Sequence, residues 1–257
     1  MPPYHLWVAS YSIPGFPKRF PVRDDDSPSL RYRVVSFLCR MFFRLTFGRS
    51  MHIEGDEELP DKGPVLVVSN HLSNLDPFLF GGFGRRTLYC MAKRELFRPR
   101  PVAWLLAGCN CFPVNRGKAD RRALRIALEL LSRGGRLLIF VEGTRARSPG
   151  MKRAEAGVGF LARRSHAAIL PVAVWGTERA LSRGRMLPRR VPIHVRYGSP
   201  VAVEQFLADG HRASDQALAD EIANRIAALL PEEYRGVYET PGATLPTDAT
   251  TALPARG

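Results

Sequence analysis

The chain has 257 residues, 45% of them apolar, which is enough to bury one ordinary core and too few for two large domains. A formal net charge of +14, carried mostly by arginine, points to anionic partners: lipid headgroups, phosphorylated small molecules, an acidic carrier or nucleic acid. The four cysteines form no Cys-x-x-Cys pair and have no histidine at zinc-finger spacing, so they argue against a metal module and a disulfide framework and predict reduced thiols.

Residues 1–29 are rich in proline and aromatics, lack the apolar stretch of a signal peptide, and predict an irregular arm. Over 30–49, Val34, Leu38, Met41 and Leu45 recur at helical spacing, joined by Val35 and Phe42, while Arg33, Arg40 and Arg44 share another side. This predicts a basic amphipathic helix. Two settings suit it: the stripe immersed in a bilayer interface with the arginines against anionic headgroups, or the stripe packed on the core. No run of 18 apolar residues occurs anywhere, so no spanning helix is expected.

The run Val65 to Val68 is short, β-branched and apolar, as in a strand buried on both faces. It leads into Asn70-His-Leu-Ser-Asn-Leu-Asp76, after which Asp76-Pro77 reads as a helix start with Asp76 as N-cap. Strands are predicted at 87–91, 111–114, 137–141, 168–174 and 191–197. Helices are predicted at 101–107, 120–133, 157–164 and 215–230, the last capped by Ser214. Alternating strands and helices predict a single α/β domain over 50–238 with a mostly buried central sheet flanked by helices, preceded by the amphipathic helix. The Pro-, Thr- and Ala-rich stretch 239–257 predicts a disordered tail.

Two segments carry chemistry. A histidine takes a hydroxyl proton near neutral pH when a second group fixes its tautomer, and Asp76 is available to do that for His71. On a regular helix two side chains five residues apart diverge, so the pair needs a strand-to-helix turn between them. His-x4-Asp alone is a common pattern, and a plain helix cap accounts for Asp76 equally well. Glu142-Gly143-Thr144-Arg145 follows a second buried strand, where α/β sheets bind ligands; a simple polar turn is the alternative. No Gly-x-Ser-x-Gly elbow and no cysteine with an evident base beside it occur, which argues against an acyl-enzyme.

In order, the chain shows His-x4-Asp after an apolar strand, Phe112 through Arg116, Phe140 through Arg145, and Ile169 through Val174 around Pro171. This fourfold pattern resembles the glycerophospholipid acyltransferase family, whose members include lysophosphatidic acid and glycerol-3-phosphate acyltransferases. The resemblance covers most of residues 50–200. It implies His71 as general base, Asp76 as its orienting carboxylate, and Arg116, Glu142, Gly143, Thr144 and Arg145 as the site for the acceptor's glycerol phosphate. It also implies acyl-CoA or acyl-carrier protein as co-substrate, a lysophospholipid acceptor, no metal and no other cofactor. The sequence departs from the family pattern at Val141, where proline is usual, at Ala146, where serine is usual, and at Asn115, where aspartate is usual, which bears on the acceptor headgroup. A lysolipid substrate places the enzyme at the cytoplasmic side of a membrane as a peripheral protein, with Arg33, Arg40 and Arg44 as lipid contacts. The competing reading is a non-catalytic basic module, but no helix-turn-helix, zinc-finger or RNA-binding signature supports a nucleic-acid partner.

Overall fold

The computed structural model describes residues 28–84, 86–115, 120–146, 150–185, 187–207 and 214–239. The expected arm and tail, and Arg116, therefore lie wholly or largely outside the described residues. Strands β1 (Met51–Glu54), β2 (Val65–Ser69), β3 (Tyr89–Lys93), β4 (Cys111–Val114), β5 (Arg136–Phe140), β6 (Ala168–Trp175) and β7 (Ile193–Tyr197) form one sheet. Their order is β1-β7-β6-β2-β5-β3-β4. All neighbours are parallel except β6 and β7.

β2 is the centre of the sheet, and all five of its residues are buried, as a strand covered on both faces requires. The helices are α1 (Leu30–Thr46), α2 (Asp76–Phe83), α3 (Arg100–Gly108), α4 (Arg121–Ser132), α5 (Ala156–Ser165), α6 (Thr177–Ala180), α7 (Val203–Leu207) and α8 (Asp215–Leu229). α4, α5 and α8 pack side by side, and α1 packs on α2 and α3. The crossover from β2 to β3 runs toward the β4 edge, whereas those from β4 to β5 and β5 to β6 run back. Right-handed connections then put the two helical layers on opposite faces.

α4 shows why these residues form this element. Asp120 caps it, accepting from the N–H groups of Arg122 and Ala123 at 3.1 Å each, and Ala123, Ile126, Ala127, Leu130 and Leu131 bury one stripe. α1 is different. Its buried face is Tyr32, Val35 and Phe43, while the predicted stripe of Val34, Leu38, Met41 and Leu45 faces solvent, with Leu30, Phe37 and Phe42 beside it. The stripe therefore does not pack on the core. Among the described residues, no helix is long and apolar enough to cross a membrane.

The four cysteines remain free thiols, but the fold gathers what the sequence scattered: Cys90 and Cys111 face each other across β3 and β4 with their Sγ atoms 2.7 Å apart. Because β7 and β1 run against β6, the carboxyl ends of β2, β5 and β6 share one edge of the sheet with the amino ends of β7 and β1. The turns described next all stand on that edge.

Candidate active site

Where β2 ends, the Asn70 side chain donates from Nδ2 to the Val174 carbonyl at 2.7 Å and accepts from the Val174 N–H at 2.8 Å. These two bonds clip the start of the turn to β6. His71 follows, buried, with Nδ1 2.8 Å from Asp76 Oδ2. The same oxygen accepts from the Leu72 and Ser73 N–H groups at 2.8 Å each. Residues 72–75 form the non-helical turn that the pairing demands.

One expectation is corrected here. Asp76 is the first residue of α2 rather than its N-cap, which is Leu75, and its carboxylate turns back onto the preceding turn instead of forward onto the helix N–H groups. Pro77 stands in the first turn, where its missing N–H costs nothing.

The His71 ring is held on its face as well, by Phe140 at a centroid distance of 4.0 Å and an angle of 18°. With Nδ1 directed at a carboxylate, Nε2 is the ring nitrogen left for another partner. Glu142, only 2% exposed, accepts from the His71 N–H through Oε1 at 3.1 Å and from the Lys152 N–H through Oε2 at 3.0 Å. Burial pushes its pKa up to about 7, against the opposing pull of those two donors. Each Glu142 oxygen thus accepts from a backbone N–H, and the carboxylate braces the histidine turn.

Gly143 carries φ +63°, and a Cβ there would meet Glu155 Cγ at 3.0 Å, so glycine suits the turn on both counts. Thr144 is exposed and Arg145 partly so, leaving a hydroxyl and a guanidinium at the rim. The turn lies against the first one: Val141 N–H donates to Ser69 O and Ala146 N–H to His71 O, both at 2.9 Å. Beside them opens a cleft of about 480 Å³, walled by Met91, Val114, Leu138, Phe140, Val158 and Leu161. Asn115 and Asp120, which flank Arg116, also line it, and the Asn115 N–H donates to Asp120 Oδ2 at 2.9 Å.

Of the expected lipid contacts, Arg33, Arg40 and Arg44 are all exposed, but Arg40 Nε donates to Gly82 O at 2.9 Å and so also ties α1 to α2. Sequence reasoning missed the Asn70 clip, the Phe140 stack and the loop after α6. In that loop Leu181 O accepts from Ser73 Oγ at 3.2 Å, and Arg183 Nη2 donates to Arg145 O at 3.2 Å and to Ala146 O at 3.3 Å. None of these has a local signal, since each partner lies between 37 and 108 residues away in the chain. Among the described residues, no group of three or more His, Cys, Asp or Glu side chains is arranged to hold a metal ion.

A largely parallel sheet whose central strand ends in a buried histidine–carboxylate couple, flanked by a Gly-Thr-Arg turn and an apolar cleft, defines an α/β acyltransferase domain. Residues 50–175 match the family model described as Acyltransferase, and the chain belongs to that family. A probable 1-acyl-sn-glycerol-3-phosphate acyltransferase of Mycoplasma genitalium is 27% identical over 235 residues, covering 88% of this chain and 84% of that protein. A 1-acyl-sn-glycerol-3-phosphate acyltransferase of Pseudomonas aeruginosa is 32% identical over 150 residues, covering 56% of this chain and 58% of its own. Across the curated relatives it matches, the chain spans as little as 38% of their length. The crystal structure of the 1-acyl-sn-glycerophosphate acyltransferase PlsC from Thermotoga maritima shares the fold, with a TM-score of 0.63 over 76% of each chain at 24% identity.

Proposed function

We propose that this chain moves a fatty acyl group from acyl-CoA or acyl-carrier protein to the free hydroxyl of 1-acylglycerol-3-phosphate or a closely related lysophospholipid. The observation that carries the reading is the 2.8 Å pair of His71 and Asp76 on the turn after β2. The names of the relatives support the acceptor class.

In the proposed reaction His71 Nε2 takes the proton of the acceptor hydroxyl while its oxygen attacks the thioester carbonyl carbon. The carbon–oxygen bond forms, the tetrahedral intermediate collapses, and the carbon–sulfur bond breaks. The thiolate leaves with the proton returned by the imidazolium, which Asp76 steadies throughout. Thr144, Arg145 and Arg116 bind the acceptor phosphate, a forked guanidinium suiting its oxygens. The apolar cleft beside Phe140 takes an acyl chain. No metal or further cofactor enters the scheme.

The exposed apolar stripe of α1, with Arg33 and Arg44 on its flank, supports a peripheral seat on the cytoplasmic face of an anionic membrane, where both the acceptor and the product reside. The decisive experiment is thiol release from acyl-CoA with a lysophosphatidic acid acceptor. His71→Ala is expected to slow it by about 10²- to 10⁴-fold, and a variant as fast as wild type would rule out the base assignment.

A further inference from the structure

The loop joining α6 to β7 is braced against the site at its start and closed on the end of α6. Leu181 O accepts from Ser73 Oγ, Arg183 grips the carbonyls of Arg145 and Ala146, and the Arg189 N–H donates to Ala180 O at 2.7 Å. Its outer side is basic: Arg185, Arg189 and Arg190 are exposed, and among them Leu187 is 80% exposed. The loop reaches α1 as well, because a Cβ placed on Gly48, just past the end of that helix, would lie 3.3 Å from Arg190 Nη2. The loop thus runs from the catalytic turns to the segment that follows the carboxyl end of α1.

A helix lying in a bilayer interface leaves the rest of the molecule free to roll about the helix axis. Some rolls turn the catalytic edge toward water. A second contact to one side of the axis fixes the roll, and this loop stands on the catalytic side. Exposed guanidinium groups around an exposed leucine match the layering of an anionic bilayer, headgroups outside and acyl carbons beneath. An acidic protein would answer the arginines and give no account of Leu187.

We propose that Arg185, Leu187, Arg189 and Arg190 form a second lipid-contact patch, which turns the catalytic edge toward an anionic phospholipid surface. It rests on the proposed membrane role of α1. The substrate for this arrangement is a lysolipid held in the bilayer, whose headgroup meets the cleft mouth without leaving the interface.

The test uses vesicles of phosphatidylglycerol and phosphatidylcholine, together with a short-chain, water-soluble lysolipid. The triple variant Arg185→Glu/Leu187→Asp/Arg189→Glu is expected to bind vesicles at least tenfold more weakly and to lose vesicle-borne turnover in proportion. Its rate on the soluble acceptor should match wild type. The milder pair Arg185→Gln/Arg189→Gln guards against misfolding of the triple variant and should weaken binding in the same direction. Leu187→Trp should gain blue-shifted emission, quenched by lipids brominated on the acyl chain. Unchanged vesicle binding in both loop variants, or a Leu187→Trp emission indifferent to vesicles, overturns the patch. So does unchanged vesicle binding with a raised KM for acyl-carrier protein, which would assign the loop to donor docking. Wild type failing to bind vesicles overturns the α1 reading itself; wild type binding while the loop variants bind equally overturns the loop alone.

Discussion

His71 is fixed in three ways: Nδ1 on Asp76, the ring face on Phe140 and the backbone N–H on Glu142. In the proposed reaction the Asp76 charge steadies the imidazolium; Asp76→Asn keeps the size of the side chain and loses that charge, so kcat is expected to fall by about 10²- to 10⁴-fold with the fold intact. Steady-state kinetics beside a circular dichroism spectrum checks this. Glu142 makes a different prediction, because burial raises its folded pKa from 4.5 to about 7. Between those values the folded state holds a proton that the unfolded chain has released, so stability falls as pH rises through this window and the loss is complete above 7. The loss is roughly 3 kcal/mol. Glu142→Gln cannot titrate, so its denaturant-unfolding free energy should gain on wild type by that order between pH 4.5 and 8. A constant difference across the range would refute the assignment. At this scale the contact of His71 with Asp76 and the Gly143 turn were legible in the sequence, since residue types and spacing mark them. The backbone contacts of Glu142 were not, because a glutamate beside a glycine looks the same whichever groups it faces.

Among the elements, the strands and long helices were legible because apolar runs and 3.6-residue stripes leave marks within a few residues: the strand at 111–114 is observed as β4 and the helix at 215–230 as α8 to within one residue. β1 was not, since Met-His-Ile-Glu is a half-exposed edge strand with no apolar run. Pairing order was hidden too, because β5 inserts between β2 and β3 only through contacts distant in sequence. Close packing between helices was equally silent. α5 meets α8 at Gly159, where an added Cβ would sit 1.9 Å from Asp215 O. Both helices contribute residues to the buried core, so they cannot part without opening it. Gly159→Ala is therefore expected to destabilise the protein by about 1 to 3 kcal/mol, despite alanine's better helix propensity of roughly 1 kcal/mol. Thermal unfolding should show a lower Tm, and an unchanged or raised Tm would mean that the two helices are looser than the structure has them.

For the whole molecule the governing quantities are the net charge of +14 and the apolar surface left uncovered on α1. In the proposed membrane seat the charge acts on an anionic surface over roughly a Debye length, about 8 to 10 Å near physiological salt, and the apolar stripe only on contact. A helix of 17 residues is about 25 Å long, enough for the exposed Leu30, Val34, Phe37, Leu38, Met41 and Leu45 to sink together in that proposed seat. The two contributions separate by salt. Each arginine near the surface contributes about 1 kcal/mol, so Arg33→Gln/Arg44→Gln should weaken binding to anionic vesicles by about 2 kcal/mol, or roughly 30-fold, at low salt. Arg40 is left in place because it also holds Gly82, and its loss would disturb the seat of α1 on α2. At about 1 M salt, where screening acts within roughly 3 Å, wild type and variant should converge on the weaker binding of the stripe alone. Leu38→Asp should do the reverse and lower affinity at both salt concentrations. Co-sedimentation across a salt series reads all three. Equal binding of the arginine variant and wild type at low salt would show that these charges face away from the membrane.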